Sequence, residues 1–215
     1  MRLRKKTHYN RRAILEAARH AGTRGSLRAA VGHYREVLQV EPDNADLHAK
    51  VAPLLLKSGD ERGAWDSYIY AGRAYLKDGY DQKALSLFRQ TARHFPASAR
   101  VWDQIADIHL SRGRNKDAAN ALFEGSAHFR SRRVIELGLR LIYRAFQLQP
   151  YRPDISLEYA RMLATSGRFP QARRLLRELR AEADRALRRR IAWAEMRLFP
   201  GWGTFASFLR ETLAL

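Results

Sequence analysis

Cysteine is absent from this chain of 215 residues. That removes disulfides, zinc–cysteine sites and thiol nucleophiles together, and it fits a reducing compartment. Long apolar runs are also missing. No stretch of about 18 apolar residues occurs, so no membrane-spanning helix is expected. The basic start, MRLRKKTHYNRR, is not followed by the apolar core of a secretory signal, and a cytoplasmic protein is expected. Strand-like alternation and Asn-Gly hairpin turns are absent, which excludes a β architecture.

Several chemical signatures are missing as well. There is no phosphate-binding loop, no His-Glu-x-x-His metal pair and no Gly-x-Ser-x-Gly nucleophile turn. Asp103 and Asp107 stand four apart on a helical stretch, but the spacing of His109 turns it away from both. No convergent reactive set emerges, so a non-enzymatic protein without a cofactor or metal is expected.

Acidic charge is scarce. There are 22 acidic residues against 40 basic, a formal net charge of +18. The excess sits at the flanks. Residues 1–40 and 128–197 are strongly basic, whereas 41–120 is balanced. Such asymmetry fits an anionic partner: an acidic protein, a nucleic acid or an anionic membrane surface. An arginine-rich helix surface in a chain of GC-rich coding origin gives the same numbers, so both readings stand.

What is present is a ruler. Gly59, Gly113 and Gly167 are 54 residues apart, as are Pro42, Pro96 and Pro150, and Pro200 follows after 50. Ala52, Ala106 and Ala160 keep the register, and so do Ala64, Ala118 and Ala172. Within each unit the apolar spacing is helical, as in Val101, Ile105 and Ile108. Glycine closes one helix of each unit through a left-handed residue, and proline follows another helix end. The small columns allow close helix crossings. The pattern predicts helices over 11–21, 25–40, 45–58, 61–77, 80–94, 98–112, 115–129, 132–148, 153–166, 168–181, 183–198 and 202–213. That is three per 54 residues.

These columns resemble the tetratricopeptide repeat (TPR). Residues 11–42 fit at Ile14, Ala17, Ala18, Ala30, Tyr34 and Pro42. Residues 65–96 fit at Tyr68, Gly72, Tyr75, Ala84, Phe88 and Pro96. Residues 99–125 fit at Trp102, Ile105, Ala106, Ala118 and Leu122, and residues 153–179 at Tyr159, Ala160, Leu163, Ala172 and Leu176. The period of 54 instead of the family's 34 requires helices 61–77 and 115–129 each to serve two units. The resemblance implies an all-α, right-handed α-solenoid of antiparallel helices, about twelve in number. Residues 1–10 read as a basic arm, 11–181 as the repeat domain and 182–215 as capping helices.

The resemblance also implies a protein-binding scaffold whose groove is lined by the first helix of each repeat. The groove positions fall at Arg12, Leu15 and Arg19, then at Asp46, Ala49, Pro53, Leu56 and Lys57. They continue at Arg100, Asp103, Asp107 and Leu110, and at Asp154, Leu157 and Arg161. The family's clamp for peptide carboxylates is not visible, because its Asn positions hold Pro53, Asp107 and Arg161. A second candidate surface is basic: Arg130, Arg132, Arg133, Arg173, Arg177, Arg188, Arg189 and Arg190. It would attract an acidic protein or, alternatively, grip nucleic-acid phosphates in an Arg-rich 130–190 region. Trp202, Phe205 and Phe208 form either an amphipathic cap or an exposed hydrophobic anchor.

Overall fold

A computed structural model describes residues 9–213. The basic segment 2–6 lies outside the described residues. The described residues form twelve helices and no strand. They are α1 (Arg11–Thr23), α2 (Leu27–Val40), α3 (Ala45–Lys57), α4 (Glu61–Lys77), α5 (Asp81–His94), α6 (Ala99–Leu110), α7 (Asn115–Ser126), α8 (Ile135–Leu148), α9 (Pro153–Thr165), α10 (Phe169–Ala181), α11 (Arg185–Leu198) and α12 (Trp202–Leu213). All twelve fall where the periodicity places them.

Two boundaries move further than the rest. α7 ends at Ser126 and α8 begins at Ile135, where the sequence pattern extends both toward 129 and 132. Phe129 leaves the helix and is fully buried in the intervening loop. Filling the core with that ring outweighs one further helical turn.

The punctuation works as its chemistry requires. Gly59, Gly113 and Gly167 all have positive φ, at 89°, 68° and 85°. In each case the next residue's N–H reaches back to the last helical turn: Asp60 to Leu55 O at 2.9 Å, Arg114 to His109 O at 2.9 Å, and Arg168 to Leu163 O at 2.8 Å. This closure satisfies carbonyls that the helix leaves orphaned. Asp60 then caps α4, accepting from Gly63 N at 2.8 Å.

The chain divides into two compact units, one ending at Thr91 and one beginning at Ala92. In the first, α1 packs on α2, α2 on α3 and α3 on α4. Phe88 of α5 lies against Gly72 of α4, where a methyl group would meet the ring at 2.5 Å. Tyr68 and Phe88 are fully buried, as repeat-core positions should be. In the second unit α7 packs along both α6 and α8, as a helix shared by two repeats must. Further contacts join α6 to α8, α8 to α9, and α9 to both α10 and α11; α12 packs on α11. The six alanines of the two small columns all have zero exposure. Each marks a crossing where a larger side chain would push two helices apart.

A further 54-residue feature emerges from the hydrogen bonds. His48 Nε2 donates to Pro42 O at 2.9 Å, Trp102 Nε1 to Pro96 O at 2.9 Å and Ser156 Oγ to Pro150 O at 3.1 Å. In each unit the residue six past the proline ties that proline's carbonyl to the next helix. A carbonyl only accepts, so His48 carries its proton on Nε2.

Candidate functional site

α11 organises the richest surface of the second unit. Asp184 caps it, accepting from Leu187 N at 2.7 Å. Ile191 and Ala192 are fully buried and fix its rotation. At about 100° per residue, that turns Arg190, Trp193, Ala194 and Arg197 to one side. There they line a cleft of about 840 Å³ with Asp154, Leu157, Glu158, Arg161 and Thr165 of α9 and Phe123 of α7. Pro153 starts α9, and the i, i+3, i+4, i+7 spacing of Asp154, Leu157, Glu158 and Arg161 puts all four on one face.

The cleft is partly self-neutralised. Arg161 holds Glu158 through two bonds, at 2.8 and 2.6 Å, and Arg130 reaches the same carboxylate at 3.1 Å. Burial alone would raise the Glu158 pKa, but the bonds and charges of Arg161 and Arg130 overcome it and hold it below the usual range. Arg152 forks onto Asp154 at 3.0 and 2.8 Å and donates to Asn120 at 2.5 Å. Its hydrogen bond to Asp154 is the main reason that this carboxyl also lies low. Arg189 donates to Glu211 O at 3.0 Å and Thr212 O at 3.5 Å, covering carbonyls at the C-terminal end of α12.

Two groups remain open. Trp193 is 47% exposed, with the Arg197 guanidinium 4.7 Å above its ring. Arg190 has no hydrogen bond or ion pair among the described residues. An apolar ring flanked by cations can receive an apolar side chain and an adjacent anion.

Other expected site residues lie elsewhere. Asp103 is bound by Arg140 at 2.5 Å and also by Arg144, which holds Asp107 at 2.7 Å; both arginines belong to α8. These two carboxylates are therefore engaged within the second unit. Arg100 is exposed on α6, and Arg132 and Arg133 are exposed in the α7–α8 loop. In the first unit Arg12 pairs with Glu16 at 3.2 Å, and Arg19 and Lys57 are exposed. Arg188 donates to Ala183 O at 2.9 Å. Arg173 and Arg177 line a different cleft, with Phe169, Arg180 and Phe199. Trp202 is 87% exposed, Phe205 meets it edge-on at 6.3 Å, and Phe208 is half-buried.

Trp193, Arg197 and Phe123 were not among the expected site residues. The signal for the first two is their i, i+4 spacing, which stacks a cation on an aromatic ring. Among the described residues no cluster of three or more His, Asp or Glu could hold a metal, and no helix is long and apolar enough to cross a membrane.

The class defined by these helices is an all-α helical repeat with a three-helix period. No family model and no curated protein matches the chain. Several solved structures are similar to it. Pseudomonas aeruginosa PilF is 16% identical, with 94% of this chain and 97% of that one covered and a TM-score of 0.28. The kinesin light chain TPR-like repeats of Podospora anserina are 17% identical, with coverage of 94% and 93% and a TM-score of 0.42. A thermophilic TPR protein of Thermus thermophilus is 19% identical, with coverage of 87% and 100% and a TM-score of 0.27. At these scores the likeness adds nothing to what the chain's own helices show.

Proposed function

We propose that this chain is a cytoplasmic, non-enzymatic interaction scaffold that holds an acidic segment of a partner protein. The observation that carries this reading is the cleft on α11. Arg161, Arg189 and Arg190, named for two separate reasons in the sequence, meet there around Trp193. Trp193 leaves roughly 100 Å² to bury, which contributes about 2–3 kcal/mol at 25 cal/mol/Å². Arg190 supplies the unpaired charge for a neighbouring carboxylate.

The basic residues of 130–190 do not lie along one line. Arg190 and Arg173 line separate clefts. That division favours discrete contacts over the continuous phosphate track of a nucleic-acid binder.

The test is peptide selection against the purified chain, followed by affinity measurement. Enrichment of Asp or Glu beside a large apolar residue is expected. Trp193→Ala and Arg190→Glu should each weaken the selected peptides at least tenfold, as hot-spot residues do. Selection of peptides without acidic residues would sink the proposal. So would single-stranded RNA binding that survives physiological salt and is lost with Arg190→Glu.

A further inference from the structure

A second cleft, of about 910 Å³, is walled by α10, α11 and α12. It uses the other side of α11, through Glu195, and Phe199 just past that helix, and it shares no lining residue with the first cleft. Arg173, Arg177 and Arg180 stand at i, i+4 and i+7 on α10, on one face and spanning about 10 Å of its axis. Glu195 is their only acidic companion in the lining, and Arg180 already holds it at 2.8 Å. Arg180 also donates to Ser207 Oγ at 3.3 Å, and its Nε is buried without a partner. Arg173 lies 4.7 Å above the Phe199 ring, which Phe169 meets edge-on at 6.1 Å. Arg177 has no hydrogen bond or ion pair among the described residues. Thr204 Oγ1 donates to Phe199 O and Gly201 O at 2.9 Å, so its proton is engaged.

The cleft therefore presents donors and few open acceptors. Three guanidiniums against one carboxylate leave two positive charges uncompensated. We propose that this cleft binds a phosphorylated segment of a partner protein, with a phosphoserine or phosphothreonine on Arg177 and its neighbours. A phosphomonoester carries about −1.5 to −2 at neutral pH and three acceptor oxygens. That matches the excess charge, whereas a single carboxylate supplies one charge and two oxygens. The half-exposed Phe169, one turn before Arg173, receives an apolar residue beside the phosphate. A phosphodiester strand carries one charge per link and needs a continuous basic track, which the division of arginines between the two sides of α11 does not offer.

The test uses short synthetic peptides with one phosphoserine beside a phenylalanine. Matched peptides carry serine or glutamate instead. Binding is read by fluorescence anisotropy. The phosphopeptide is expected to bind at least tenfold tighter than the glutamate peptide, a gap of about 1.4 kcal/mol. Arg177→Glu and Arg173→Glu should abolish that binding with unchanged circular dichroism. Arg190→Glu and Trp193→Ala, in the other cleft, should leave it intact. The two proposals can therefore fail separately. Equal affinity for the phosphate and glutamate peptides overturns this one. So does absence of phosphopeptide binding, its survival in Arg177→Glu, or tighter binding of a single-stranded oligonucleotide in the same cleft.

Discussion

Replacing Gly125 by alanine tests whether the repeat packing is as close as the small columns require. Gly125 lies on α7 against the indole of Trp102. A methyl group on its backbone would stand 2.7 Å from Trp102 Cδ2 and 2.8 Å from Cβ, and closer still to Cγ. The ring has little room to withdraw. It is 5% exposed, and its Nε1 is tied to Pro96 O at 2.9 Å. Helix propensity favours alanine by about 1 kcal/mol. Against it stand overpacking, about 1–3 kcal/mol, and loss of the indole hydrogen bond, about 1 kcal/mol. The net expectation for Gly125→Ala is a loss of about 1–3 kcal/mol.

Gly32 in α2 is the control. It is exposed, and nothing lies within 4 Å of a Cβ built there. Gly32→Ala should gain about 0.5–1 kcal/mol. Urea unfolding followed by circular dichroism measures both. A double-mutant cycle with Trp102→Leu should show coupling to Gly125→Ala above about 1 kcal/mol, and none to Gly32→Ala. Stabilisation by Gly125→Ala, or an uncoupled cycle, would refute the proposed close crossing of α6 and α7.

Three further expectations follow from single contacts. Gly113→Ala should cost about 1–2 kcal/mol in urea unfolding, because its φ of 68° is left-handed, and Gly113→Asn should cost less. Nothing lies within 4 Å of that position, so the loss is one of backbone conformation alone. Glu158→Gln should lose about 1–3 kcal/mol at neutral pH by unpairing Arg161. Because the folded Glu158 pKa is depressed, its contribution is full above the ordinary carboxylate value near 4.3 and is lost as pH falls through the folded value. The difference between wild type and Glu158→Gln, followed by unfolding at several pH values, should therefore shrink in acid; a constant difference would refute the ion pair. Ser156→Ala should cost about 1 kcal/mol by freeing Pro150 O, checked by the same unfolding assay.

The helices were legible where an end carries a local physical device. Glycine at Gly59, Gly113 and Gly167 relieves a steric penalty that any other L residue pays, and Pro42, Pro96 and Pro150 cannot extend a helix. Those devices act within a few residues, so a sequence displays them directly. The α7–α8 boundary obeyed no local device. The burial of Phe129 decided it, and burial depends on helices distant in the chain.

The site was legible only in part for the same reason. Arg161 and Arg190 could be named, but their meeting depends on how α9 and α11 pack. A tryptophan within a helix usually packs inward, so Trp193 carries no signal of its own as a site residue. Here Ile191 and Ala192 take the inward side and leave the indole facing the cleft.

The tether to the proline carbonyl shows a subtler limit. His48, Trp102 and Ser156 occupy the same place on the 54-residue ruler, yet they share neither size nor hydropathy. A search for columns of like residues passes over them. They share one polar hydrogen aimed at a carbonyl six residues back. The carbonyl requires only that donor, so the remaining shape of each side chain can fit its own unit. Where the demand is steric, as at Ala52, Ala106 and Ala160, only a small residue meets it and the column is visible. Where the demand is one hydrogen bond, three unlike residues meet it, and the repeat continues below the level at which residue identity reports it.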